Sequence, residues 1–160
     1  MPSIPLPHSE SWRNSHPGHW LRLALERFDG RVLECMARHP GVALGLSHLA
    51  GRGQVTAALV HITRHLPQEG ARLTDLALAA GMSKQAMGTL VTQCEAWGLV
   101  RRTGHAADAR AKRVLFTEAG LAWLAAYRDA VAQAEVELQN AVGAEVATVI
   151  ALGLEAYSSA

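Results

Sequence analysis

Six cations, Lys84, Arg101, Arg102, Arg110, Lys112 and Arg113, fall between positions 84 and 113 against only two acids, Glu95 and Asp108. Guanidinium and ammonium groups at that density displace counterions from a polyanion, and phosphate is the group they fit. Beside them Ser83, Lys84, Gln85 and Thr89 place hydrogen-bonding side chains on the opening turns of a helix. Such a turn, small and polar on its outer face, can lie in a major groove and read base edges. A charged hairpin alone equally protects a sheet edge from aggregation. The neighbouring helix is what favours nucleic acid.

Other chemistry is weakly represented. His61 and His65 lie one helical turn apart, but two imidazoles do not complete a four-ligand shell, and no Cys or carboxylate stands beside them. Neither a metal nor another cofactor is expected. Cys35 and Cys94 read as apolar filler in a chain without a secretory signal, which suits a reducing cytoplasm. There is no Gly-rich phosphate loop, no nucleophile elbow and no pair of carboxylates in an apolar setting, so no catalytic residue and no enzyme is expected.

The elements that must position the polar and basic groups follow from periodicity. Leu73 to Val100 reads as a short helix, a break at Gly81, a cap at Ser83 and a second helix ending at Gly98. Ala77 is small where the two helices cross, and Leu76, Met82, Met87 and Leu90 fall on a shared apolar face. LVRR and KRVLF are short alternating runs around a Gly/Ala/Asp-rich tip, a hairpin pattern, and Trp97 is expected to pack its base. Trp20, Leu21, Leu25, Phe28, Val32 and Met36 recur at helical spacing up to Pro40-Gly41. A further helix is expected from Gln54 to His65, with Val55, Leu59 and Ile62 inward. After Thr117 a long helix is predicted with Leu121, Leu124, Val131 and Leu138 marking one face, then a break at Gly143 and a last helix over Ala144 to Tyr157, apolar on almost every side.

These residues resemble the MarR-type (multiple antibiotic resistance regulator) winged-helix transcription factors. The resemblance is carried by LTDLA, Ser83-Lys84-Gln85-Ala86 with Leu90-Val91, Glu95, Gly98-Leu99-Val100, Asp108-x-Arg110 and LFTEAG at 115–120. It is close over about 73–125, looser over 20–66 and 126–157, and absent over the first dozen residues. It implies DNA contacts from Ser83 and Gln85, a minor-groove role for Arg110 in the wing, and a dimer. Gly88 departs from the Ser or Thr usual there, and Thr89 from a frequent Arg. Asp108 is expected to orient Arg110.

The fold class expected is mainly α with a small β-wing: a winged helix-turn-helix flanked by N- and C-terminal dimerisation helices, one domain overall. An extended arm is expected over 1–19, N-terminal helices over 20–66, the winged region over 67–118 and C-terminal dimerisation helices over 119–160. Net charge is only +1, but after Glu118 the balance turns acidic, with Arg128 against Asp129, Glu135, Glu137, Glu145 and Glu155. That gradient turns the winged end toward DNA. No apolar run approaches the roughly 18 residues of a membrane span, so no membrane partner is expected.

The function read from the sequence is a cytoplasmic, homodimeric, sequence-specific DNA-binding transcriptional regulator. It is expected to be a repressor on a palindromic site in double-stranded DNA, released by a small aromatic ligand near Trp20, His61 and Arg64. Trp12, Trp20 and Trp123 are pocket or core residues on this reading. Two other classes stay open: a thiol or metal sensor on the same scaffold, and a winged-helix module that binds a protein partner instead of DNA.

Overall fold

Pro17 opens the first helix, α1 (Pro17–Arg38), because its fixed φ suits a first turn. His16 caps it, Nδ1 accepting the His19 N–H at 3.2 Å. The chain therefore turns helical before Trp20, inside the stretch expected to be an extended arm, and a short 3₁₀ turn, Ser11–Arg13, precedes it. Pro40 ends α1: His39 is extended, as a residue before proline tends to be. The structure, a computed structural model, describes residues 11–42, 59–104 and 112–159. Most of the expected arm and the Gln54 to Ala58 part of the second expected helix lie outside them. The rest of that helix is a π-helical turn, Leu59–Thr63, whose Ile62 is buried together with Leu66.

The winged region forms around a three-stranded antiparallel sheet. Its strands are β1 (Ala71–Arg72), β2 (Val100–Thr103) and β3 (Arg113–Phe116), in the spatial order β1-β3-β2. β1 was not evident from a two-residue alternation. Gly70 makes it possible: its φ is +83°, and a Cβ there would come within 2.6 Å of both Leu115 Cδ2 and the Val114 carbonyl. Between β1 and β2 run α2 (Leu73–Ala79) and α3 (Lys84–Ala96). The Gly81 turn between them has φ +63°, and Met82 N–H closes onto the Ala77 carbonyl at 2.9 Å. Leu76, Ala77, Met87, Val91 and Cys94 are buried between the two helices and the sheet. At the end of α3, Leu99 N–H reaches the Cys94 carbonyl and Gly98 N–H the Glu95 carbonyl, a Schellman cap that buries Leu99 and starts β2.

Two helices complete the chain, α4 (Glu118–Val142) and α5 (Ala144–Ser158), bent by 118° at Gly143. Thr117 caps α4 by accepting the Gly120 N–H at 3.0 Å. α1 lies along α4, and Arg31 spans the pair with two hydrogen bonds to Glu137 at 2.7 and 2.8 Å. The inward face of α4 is not the one that the leucines mark. It is Gly120, Trp123, Ala126, Ala130 and Ala134, whereas Leu121 and Leu138 are exposed and Leu124 and Val131 only half-buried. Alanines let the two helices approach closely, so the small residues take the contact and the large ones are left facing out. α5 buries only Ala147; Val149 is 68% and Leu152 60% exposed. No single helix among the described residues is long and apolar enough to cross a membrane.

Candidate nucleic-acid interface

The outer face of α3 begins at its cap. Ser83 Oγ accepts the Ala86 N–H at 3.1 Å, which fixes the first turn and leaves Lys84 and Gln85 exposed. Thr89 is also exposed, its hydroxyl donating to the Gln85 carbonyl at 3.2 Å, so that the oxygen lone pairs remain available to a donor. Gly88 between them is half-buried; a Cβ there would meet Leu73 Cδ2 at an ordinary 3.8 Å, so packing does not demand a glycine.

β2 and β3 place the wing cations on two faces. Arg101 pairs with Leu115 and Arg102 with the buried Val114, so alternate side chains of β2 diverge. Arg101 projects into solvent with no ion pair or side-chain hydrogen bond among the described residues. Arg102 turns to α3. Its guanidinium bonds Glu95, donates to the Gly88 carbonyl and the Thr92 hydroxyl at 3.1 Å, and its backbone N–H reaches Glu95 Oε1 at 2.8 Å. Arg113 is also engaged, donating to the Gly70 carbonyl at 2.6 Å and, more weakly, toward Glu69 at 3.5 Å. Asp108 and Arg110 lie outside the described residues.

Between α2, α3 and the hairpin opens a cleft of about 460 Å³, lined by Arg72, Leu73, Thr74, Lys84, Arg102, Lys112, Arg113 and Val114. Five of these are cations and none is an acid. Sequence reasoning missed Arg72, which stands ahead of the helix-turn-helix and apart from the basic run. The signal that would have found it is the third strand, because β1 pairs Arg72 directly with Arg113.

Residues 52–111 match the MarR family model. That stretch is similar to the MarR family, and the fold around it is a winged helix-turn-helix. Solved structures agree along nearly its whole length. The repressor CouR, bound to a 23-mer DNA duplex, is 21% identical with a TM-score of 0.64, over 93% of this chain and 96% of that one. Bordetella bronchiseptica BpsR, described with regulation of its DNA binding by 6-hydroxynicotinic acid, is 17% identical with a TM-score of 0.60, over 92% and 96%. The Mycobacterium tuberculosis MarR family protein Rv2887, in complex with salicylic acid, is 20% identical with a TM-score of 0.57, over 89% and 96%. No curated protein matches by sequence.

On this winged-helix scaffold the other candidate residues separate. Trp123 is core, 2% exposed, while Trp12 is 63% and Trp20 57% exposed, so the three tryptophans do not line one cavity. Trp97 is half-buried against the core. Trp20 instead meets the His19 ring edge-on, with centroids 4.9 Å apart. His61 is half-buried, and its Nδ1 has no hydrogen-bond partner among the described residues. Arg64 is exposed near Asp29 of α1, whose carboxyl is pushed above the usual range by burial, an effect that Arg64 opposes. Among the described residues no three metal-ligating side chains converge. Cys94 is buried, and burial pushes its thiol up to about 12, so it stays a neutral thiol rather than a nucleophilic thiolate.

Proposed function

We propose that the chain is a sequence-specific DNA-binding transcriptional regulator acting as a homodimer in the cytoplasm. The observation that carries the reading is the placement of Ser83, Lys84, Gln85 and Thr89 on the exposed start of α3, next to a cleft lined, among the described residues, by five cations and no acid. The helix supplies base readout, and the cleft and hairpin supply phosphate attraction. Arg101, Lys112 and the Asp108-x-Arg110 tip extend the contact surface, with Arg110 in the minor groove. Arg102 and Arg113, tied into the protein, hold helix, turn and hairpin in register.

Homodimerisation is supported by the apolar surface that one chain leaves open. Val146, Val149, Ile150, Leu152 and Leu154 of α5 and Trp20, Leu21 and Leu25 of α1 are exposed large hydrophobics near the two chain ends. Two-fold packing of these helices would set the recognition helices about 34 Å apart on a palindromic site. Release by a small aromatic acid is the regulatory reading: its ring would pack on apolar walls and its carboxylate near Arg64 and His61. BpsR and Rv2887 are the relatives that support it, with 6-hydroxynicotinic and salicylic acid. The output is repression. Neither thiol nor metal sensing gains support from a buried, neutral Cys94 and the absence of a ligand cluster among the described residues.

The test is selection of bound duplexes from a random pool, followed by anisotropy titrations on the selected and a scrambled site. A two-fold symmetric motif bound far more tightly than the scramble is expected, with loss of binding as salicylate is added. Equal affinity for both duplexes rejects sequence-specific recognition, and retention on DNA at saturating aromatic acid rejects ligand release by that class.

A further inference from the structure

The cations that line the cleft are not equivalent. Arg102 is neutralised by Glu95, and Arg113 is anchored on the Gly70 carbonyl. Arg72, Lys84 and Lys112 make no ion pair or side-chain hydrogen bond among the described residues. The register of the sheet adds a second observation. Arg72 stands directly opposite Arg113, and like charges facing each other across two strands lower stability unless an anion offsets them. Arg113 is partly satisfied by carbonyl oxygens. Arg72 is not, although it lies on the rim of a concave basic surface that also holds Lys84 from the first turn of α3.

The geometry points to Arg72 as a further DNA-contacting residue, which with Lys84 and Lys112 grips backbone phosphate of the duplex that α3 reads. This rests on the DNA-binding reading and deepens it. Three elements, β1, α3 and β3 with its flank, each place one unpaired cation around the cleft, so the phosphate contact fixes the angle between recognition helix and wing. The contact carries no base information, because it falls on the backbone.

The experiment compares the wild-type chain, Arg72→Gln and Arg72→Lys by anisotropy on selected and scrambled duplexes, at salt from about 50 to 300 mM. For Arg72→Gln the slope of log K against log salt is expected to shrink by about 0.9 on both duplexes, one released counterion, with the preference between them unchanged. Arg72→Lys is expected to restore the slope. Unfolding midpoints for both variants should match the wild type or exceed it, since Arg72 is exposed and faces a like charge. An unchanged slope for Arg72→Gln overturns the proposal while leaving the function intact. So does a loss that Arg72→Lys fails to restore. Failure of the wild-type chain to bind any duplex rejects the DNA reading itself.

Discussion

Glu95 holds Arg102 at both ends: Oε1 accepts its backbone N–H at 2.8 Å, and Oε2 takes its guanidinium. The pair ties the last turn of α3 to the first strand of the wing, and Gly88 and Thr92 complete the guanidinium's partners. Arg102→Ala is expected to cost about 1 to 2 kcal/mol in urea unfolding, more than an exposed ion pair, because charged hydrogen bonds to half-buried groups are lost. Glu95→Gln should lose part of that. A double-mutant cycle checks it: additive losses would mean that the two side chains act independently.

Base reading by Gln85 separates from phosphate binding. Gln85→Ala is expected to weaken the selected duplex by roughly 1 to 3 kcal/mol and the scrambled one hardly at all. The fold should be unaffected, since the side chain is exposed. Equal loss on both duplexes would assign Gln85 to the backbone instead.

Acid stability depends on the α1–α4 clasp. Hydrogen bonds from Arg31 and Gln133 hold the Glu137 carboxyl down at about 2, below its ordinary 4.5. The pair stabilises fully above pH 4.5; as pH falls from there to about 2 the unfolded state takes up the proton first and the contribution disappears. Glu137→Gln should therefore be less stable than wild type at pH 6, with the difference closing toward pH 2. Urea midpoints across that range measure it, and a constant difference would refute the linkage.

Thiol chemistry should be silent at Cys94. With its pKa pushed up to about 12 and the sulfur buried, iodoacetamide at pH 8 is expected to label Cys94 only on unfolding. Mass spectrometry of native and urea-treated protein distinguishes the cases. Rapid native labelling would reopen thiol sensing.

Dimer contacts are tested on α5. Val149→Glu with Ile150→Glu puts unpaired charge on the proposed interface and should yield monomers or insoluble protein. Sedimentation of the wild-type chain as a folded monomer would contradict the interface outright.

The helix-turn-helix was legible because its signals are local: a cap at Ser83, a turn glycine at 81 and apolar spacing within one segment. Long-range facts were not. The leucines of α4 mark one face in the sequence, but the buried face is mostly alanine, since helix proximity rewards small side chains that hydrophobicity ranks low. Arg101 and Arg102 looked like one basic patch; strand alternation already implied that they part, and only the position of Glu95 showed where the second one goes. β1, two residues long, depends on Gly70 fitting under Leu115, a contact with a residue far along the chain. The wing-tip residues Asp108 and Arg110 lie outside the described residues.

Gly120 sits so close to the Leu99 carbonyl that a Cβ would come within 1.9 Å of that oxygen, and Thr117 N–H bonds the same carbonyl at 3.0 Å. The joint between α4 and the wing therefore has no slack. With 25 residues rising about 1.5 Å each, α4 is a rod of roughly 37 Å fastened at one end to the hairpin base. A sideways push of about 2 Å at its far end amounts to a tilt of roughly 3° on that length. A rigid joint passes such a tilt into the hairpin as rotation instead of absorbing it. Mechanically, the wing is the short arm of a lever whose long arm ends beside α5.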